Sequence, residues 1–229
     1  MDRPGSLGGL VVVIPAWEPD ERLLGLVEEL VGCGFGGVVV VDDGSSAVGV
    51  FEELRGLAGV QVVRLERNRG KGRALKAGIE TVMREMVGVR GVVTADADGQ
   101  HTVADIVRVG EALGEEFVMG VRGFGGAVPL RCWVGNVVTR WFFQAGTGVR
   151  VGDTQTGLRG VPRQMFQEVL GCEGERYEWE MVVLVRMCRR MVEVPIETVY
   201  LEGNGSSHFR AVRDSVRVLG ALVRCAVRG

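Results

Sequence analysis

Short runs of uninterrupted valine, leucine and isoleucine, each ending at a proline or an acidic pair and each followed by a helical stretch, constrain this chain most. Leu10–Ile14 (LVVVI) is apolar at every position, as a strand buried on both faces must be. Pro15 stops it, and Ala16–Asp20 makes a loop before a helix over Glu21–Val31. Val38–Val41 is a second such strand, closed by Asp42-Asp43-Gly44-Ser45. A helix near Val48–Leu57 leads to a strand over Val60–Leu65. Asn68–Gly72 then turns into a helix over Arg73–Met86, ahead of a strand that begins at Val92. The alternation continues through Met119, which predicts an α/β fold with a mostly parallel sheet covered by helices on both faces. In such sheets ligands bind beyond the carboxyl ends of the strands. Pro15, Asp42, Asp43, Asp96 and Asp98 all fall there.

The stretch Val92–His101 (VVTADADGQH) carries the strongest chemical signal. Strand alternation puts Asp96 and Asp98 on one side at the strand's carboxyl end. Two carboxylates that close repel unless a cation sits between them. An all-oxygen site suits Mg²⁺ or Mn²⁺, with Gln100 as a neutral ligand. The plainer alternative is a pair of turn acids before glycine. His101 is read as a helix-start residue packing on its neighbours. Asp42 and Asp43 either bond the amides of the following turn or read a ligand, and the division expected is one of each. Asn68–Gly72 (NRGKG) lacks the G-x-x-x-x-G-K-S/T pattern of a phosphate loop, yet Lys71 could meet a phosphate at a helix start.

The second half is less regular. Arg131–Gln144 reads as a helix with Trp133, Val137 and Trp141 at four-residue spacing, a stripe expected in the core. Asp153–Val161 reads as a turn and short strand, Tyr177–Arg190 as a helix, and Val192–Val199 as a strand. Gly120–Val128 is the candidate mobile loop. In the final predicted helix, Phe209–Arg228, apolar Val212, Val216, Leu219, Val223 and Ala226 share one face. Arg210, Arg213, Arg217, Arg224 and Arg228 line an arc of roughly 60° beside it. That stripe suits anionic headgroups at about 1 kcal/mol per basic residue. A formal charge of −2 gives no general attraction to nucleic acid. Five cysteines with no C-x-x-C pair and no leader-like start are read as reduced thiols in a cytoplasmic protein.

Taken in order, IPAWEP, VVVVDDGSS, NRGKGRALKAG, TADADGQH, MGVRGF, GDTQTGLRG, GERYEWEM, VPIETVY and GNGSSHF resemble glycosyltransferase family 2, and within it the polyprenyl-phosphate (dolichyl-phosphate) sugar transferases. The resemblance implies a GT-A-type fold and a hexosyltransferase, mannosyl- or glucosyltransferase-like, with a nucleotide-diphosphate sugar donor (GDP-mannose or a UDP-sugar). It implies Mg²⁺ or Mn²⁺ held by Asp96, Asp98 and Gln100. Pro15, Ala16, Trp17, Glu18, Val41 and Asp43 would then surround the nucleoside. Lys71, Ala97 and His208 would serve the donor further along, while Arg122 and Asp153 join the two metal acids as catalytic candidates. The chain departs from the pattern at Pro19, at Cys132-Trp133 and at Leu201.

The organisation expected is one domain over 1–229. Its nucleotide-binding half is 1–121, its acceptor-side half 122–208, and its basic C-terminal helix 209–229. The expected partners are a polyprenyl phosphate, the inner membrane surface and a separate membrane protein. If the acceptor were instead a glycan or lipid hydroxyl, a base would be required, with Asp153, Glu178 or Glu180 the candidates. A non-catalytic nucleotide-sugar-binding protein is the third alternative.

Overall fold

The computed structural model describes residues 6–123 and 130–197 together with Gly220, and of residues 130–135 the backbone alone. Seven strands form one sheet: β1 (Leu10–Ala16), β2 (Gly37–Asp42), β3 (Val60–Arg64), β4 (Gly91–Thr94), β5 (Phe117–Arg122), β6 (Arg159–Pro162) and β7 (Met191–Ile196). The helices are α1 (Glu21–Val31), α2 (Gly49–Arg55), α3 (Lys71–Glu85), α4 (Val103–Ala112), α5 (Leu130–Thr147), α6 (Phe166–Leu170) and α7 (Tyr177–Met187).

The strands lie in the order β3-β2-β1-β4-β6-β5-β7. β6 alone runs antiparallel, against both β4 and β5. β1 pairs in parallel with β2 on one side and β4 on the other, so the strand order reverses there and opens a crevice at their carboxyl ends. The valine runs do what their continuity requires. Val11, Val13, Val39 and Val41 face α3, α6 and α7 on one side of the sheet. Leu10, Val12, Ile14, Val38 and Val40 face α1, α2 and α4 on the other. Full burial of each such side chain is worth about 1.5–3 kcal/mol, so this centre fixes the strand ends firmly.

Capping explains where two helices start. The Asp20 carboxylate accepts the Arg22 amide at the head of α1, and Thr102 Oγ1 accepts the Asp105 amide at the head of α4. α3 begins at Lys71, two residues before the boundary expected from sequence, because Gly70 takes φ +109 just ahead of it. A Cβ at Gly70 would also strike Glu175 O and the Arg176 side chain.

Four expectations change. β4 ends at Thr94, before the paired acids. β5 runs on to Arg122, into the segment read as a mobile loop, while residues 124–129 lie outside the described residues. The α5 stripe is not core: Trp141 is 66 % exposed and Val137 40 %, while Phe143 turns inward. Trp141 and the half-exposed Phe142 instead stack edge to face, with ring centroids 5.0 Å apart. Finally, α7 stops at Met187 and β7 at Ile196. The C-terminal basic helix expected over Phe209–Arg228 lies outside the described residues, as does His208. Among the described residues no helix is long and apolar enough to cross a membrane.

Candidate active site

Because β4 stops at Thr94, Asp96 and Asp98 are presented by the turn that follows the strand, not by its alternation. A second loop closes against them. Thr94 Oγ1 donates to Gly157 O at 2.7 Å, which pins the GDTQTG segment over the end of β4. A Cβ built on Gly157 would lie 2.6 Å from each carboxylate oxygen of Asp96, so glycine leaves the space that this acid fills. Asp98 is bound by its own turn. Its Oδ1 accepts the Gln100 amide at 3.1 Å and its Oδ2 the Gln100 side-chain nitrogen at 2.8 Å. Ala97 stands half-buried between the two acids.

Lys71, the first residue of α3, reaches in from the side. Its Nζ lies 2.7 Å from Asp96 Oδ1 and 3.0 Å from Glu180 Oε2 on α7, with the Tyr177 ring centroid 5.8 Å away. Burial alone would depress the Lys71 ammonium, but the two carboxylates raise it above its usual range. Burial would likewise raise Asp96, yet Lys71 and His101 hold its carboxyl well below the ordinary carboxylate range. Asp98 moves upward, from burial first and then from the neighbouring charge of Asp96. The two acids thus sit in one electrostatic site with opposite shifts. His101 is buried as expected of a packing residue, but its Nε2 also stands 3.5 Å from Asp96 Oδ2. Its Nδ1 finds no hydrogen-bond partner among the described residues.

The ends of β1 and β2 form the other wall. Pro15, Ala16 and Val41 are buried there, followed by Trp17, which is 37 % exposed. Glu18 turns the chain with φ +47. Its carboxylate accepts the Ser46 amide and hydroxyl, each at 2.7 Å, and its own amide donates to Ser45 Oγ at 2.9 Å. Asp42 accepts the Ser45 amide and pairs with Arg64 at 2.9 Å. Asp43 accepts the amides of Arg69 at 2.8 Å and Gly70 at 2.7 Å. Both acids therefore brace loops, where the sequence divided them into one structural and one ligand-facing acid. Burial pushes the Asp43 carboxyl upward even against those two amides.

Arg122 closes β5 and forks onto Asp153 through Nε at 2.5 Å and Nη2 at 3.0 Å. Asp153 is fully buried and also accepts the Gln155 amide at 2.8 Å, a turn contact. Here it anchors the guanidinium. Three further residues complete the site. Glu180, offered by the sequence as a base for a hydroxyl acceptor, is the second anchor of Lys71. Buried Arg159 ties two backbones together, donating to Thr156 O at 3.1 Å and Glu180 O at 2.5 Å, with its pKa lowered by burial. Gly157 is the wall behind Asp96. A charge inside a four-residue strand and a glycine inside a turn motif give no sequence signal by themselves; their meaning comes from β6 pairing with β4.

Among the described residues no three His, Cys, Asp or Glu side chains converge as a metal cage. What is present fits a hard cation of another kind: two carboxylates and a carboxamide within five residues, with an ammonium already drawn to one of them. Mg²⁺ in particular is held by one or two carboxylates, with substrate phosphates and water completing the shell.

Comparison with known proteins identifies the family. The chain is 27 % identical to the UDP-N-acetylglucosamine–dolichyl-phosphate N-acetylglucosaminyltransferase of Methanococcus voltae, over 84 % of this chain and 86 % of that one. It is 30 % identical to a dolichyl-phosphate beta-glucosyltransferase of Drosophila melanogaster, over 87 % of this chain and 70 % of that one. The fold matches crystalline glucosyl-3-phosphoglycerate synthase from Mycobacterium tuberculosis, solved with Mn²⁺, UDP and phosphoglyceric acid. The TM-score is 0.67 at 19 % identity, covering 95 % of this chain and 78 % of that one. The glycosyl transferase family 2 profile spans residues 12–169, from inside β1 to the end of α6, and so takes in both walls of the crevice. The chain belongs to glycosyl transferase family 2, as a GT-A-fold glycosyltransferase similar to the polyprenyl-phosphate sugar transferases.

Proposed function

We propose that the protein moves a sugar from a nucleoside-diphosphate sugar to a polyprenyl phosphate, dependent on Mg²⁺ or Mn²⁺. The observation that carries this reading is the Asp96 carboxylate. It is seated in a space only glycine leaves, beside Asp98 at the mouth of the sheet crevice. Asp96, Asp98 and the Gln100 carboxamide oxygen would hold the metal. When bound, the cation supplies electrostatic stabilisation of the departing diphosphate. Pro15, Ala16, Trp17, Val41 and the loops braced by Glu18 and Asp43 form the nucleoside side; Lys71 and Ala97 serve the phosphates, and His208, which lies outside the described residues, is assigned to them from its sequence motif alone. Arg122, held by Asp153, presents its charge at the end of β5, toward sugar or phosphate. A UDP-sugar is the favoured donor, because one relative is named for a UDP-sugar and the crystalline neighbour holds UDP; GDP-mannose is the alternative.

A phosphate acceptor is ionised near neutral pH and needs no base. It needs a cation that lets one anion approach another, and Arg122 at the end of β5 is the candidate. The reaction is a single displacement with inversion. We assign residues 1–121 to the donor, 122–208 to the acceptor, and the basic stripe of 209–229 to the cytoplasmic membrane face, where a separate membrane protein would sit. Radiolabelled UDP-sugars and GDP-mannose, incubated with polyprenyl phosphate and Mn²⁺, test the proposal. The expected product is an acid-labile labelled lipid, absent with EDTA and in Asp98→Ala. Label on a glycan or lipid hydroxyl instead, or no transfer by any donor, would refute it. Flotation with liposomes that ignores anionic lipid content would remove the membrane assignment.

A further inference from the structure

The ammonium of Lys71 already fills the role of a cation for Asp96. It lies 2.7 Å from Asp96 Oδ1, is only 15 % exposed, and is shared with Glu180 Oε2 at 3.0 Å. Glu180 Oε1 is buried with no partner among the described residues, so this acid retains acceptor capacity. Position, too, is fixed: Lys71 is the first residue of α3, locked by the Gly70 turn and by the Arg73 amide bonded to Glu175 O at 2.8 Å. The backbone of the lysine is held in place. A divalent ion on Asp96 would therefore stand within a few ångströms of a positive charge.

Building on the metal reading above, we propose that Lys71 is an internal counter-ion that competes with the divalent cation for Asp96. The incoming diphosphate resolves the competition: its anionic oxygens draw the ammonium off Asp96 while Glu180 keeps hold of it. Without nucleotide, the lysine offsets the charge of Asp96 and keeps its affinity for free divalent ions low. With nucleotide, the same lysine becomes a phosphate ligand, so metal and donor enter together.

Free Mn²⁺ titrated against the chain without nucleotide tests this, read by the paramagnetic resonance of unbound Mn²⁺ and by thermal melting. Lys71→Met is expected to bind Mn²⁺ at least tenfold more tightly than the unmodified chain. It is also expected to melt lower without metal and to recover with it. Glu180→Gln, which leaves Asp96 as the lysine's sole carboxylate, is expected to bind Mn²⁺ more weakly than the unmodified chain. Equal or weaker Mn²⁺ binding by folded Lys71→Met overturns the proposal, as does unchanged or tighter binding by Glu180→Gln. Should the methionine variant fail to fold, Lys71→Gln replaces it with the same expected gain, since its neutral amide can still bond both carboxylates. Failure of the metal reading looks different: the unmodified chain would then bind no Mn²⁺ even with UDP present.

Discussion

Gly157→Ala isolates the seat of Asp96. The three heavy atoms nearest the added Cβ are all Asp96 atoms, with both carboxylate oxygens at 2.6 Å. Ordinary contact begins near 3.4 Å, so the carboxylate must retreat by about 0.8 Å. A retreat along the Lys71 axis stretches that 2.7 Å pair to about 3.5 Å. At an effective dielectric near 20, the attraction falls from about 6 to about 5 kcal/mol, a loss of roughly 1.4 kcal/mol. Overpacking adds about 1–3 kcal/mol, so a total of about 2–4 kcal/mol is expected in urea unfolding. Calorimetry with Mn²⁺ and UDP should show at least a tenfold weaker complex. The control is a double-mutant cycle: in an Asp96→Ala background the methyl meets no carboxylate, and Gly157→Ala should cost under about 0.5 kcal/mol. An equal cost in both backgrounds would show that the glycine serves the loop alone and would refute the reasoning.

Other substitutions probe the walls. Arg122→Met strips a fully buried Asp153 of its counter-charge and should cost about 3–5 kcal/mol by denaturant unfolding, partly restored by adding Asp153→Asn. Asp43→Ala orphans the amides of Arg69 and Gly70; a loss of about 2 kcal/mol is expected, with faster hydrogen exchange at those two amides. Glu168 of α6 pairs with Arg186 and Arg190, which are largely exposed, so Glu168→Gln should cost less than about 1 kcal/mol near pH 7. Its carboxyl is lowered by the Arg190 hydrogen bond, against burial and with Arg186 assisting. A depressed acid stabilises above its ordinary 4.5 and loses that contribution as pH falls through the lower folded value. The gap between the two proteins should therefore hold steady from about pH 6 to 8 and shrink as pH falls below 4.5.

Much of the fold was legible because burial on two faces leaves a strand no polar position. Val38–Val41 could hardly be anything else, and its ending set Asp42 and Asp43 at the crevice. β6 was harder: its four residues RGVP include an arginine, and only pairing with β4 and β5 explains why that charge is buried. The α5 aromatics misled for the opposite reason. Helical spacing identifies a face but not which neighbour covers it, and Trp141 stays exposed among the described residues.

The site divides along the same line. Residues at strand ends were found because chain order alone delivers them to one crevice, whatever their side chains then do. Their tasks were set by partners far away in sequence. Asp43 spends its oxygens on Arg69 and Gly70, Arg122 is held by Asp153, and Lys71 spans from α3 to Asp96 and to Glu180 on α7. None of these pairings follows from a motif's spacing, because each depends on how loops after different strands fold over one another. On the proposed reading, the paired acids mark where a cation is wanted, while the distant lysine sets how strongly the nucleotide-free chain wants it.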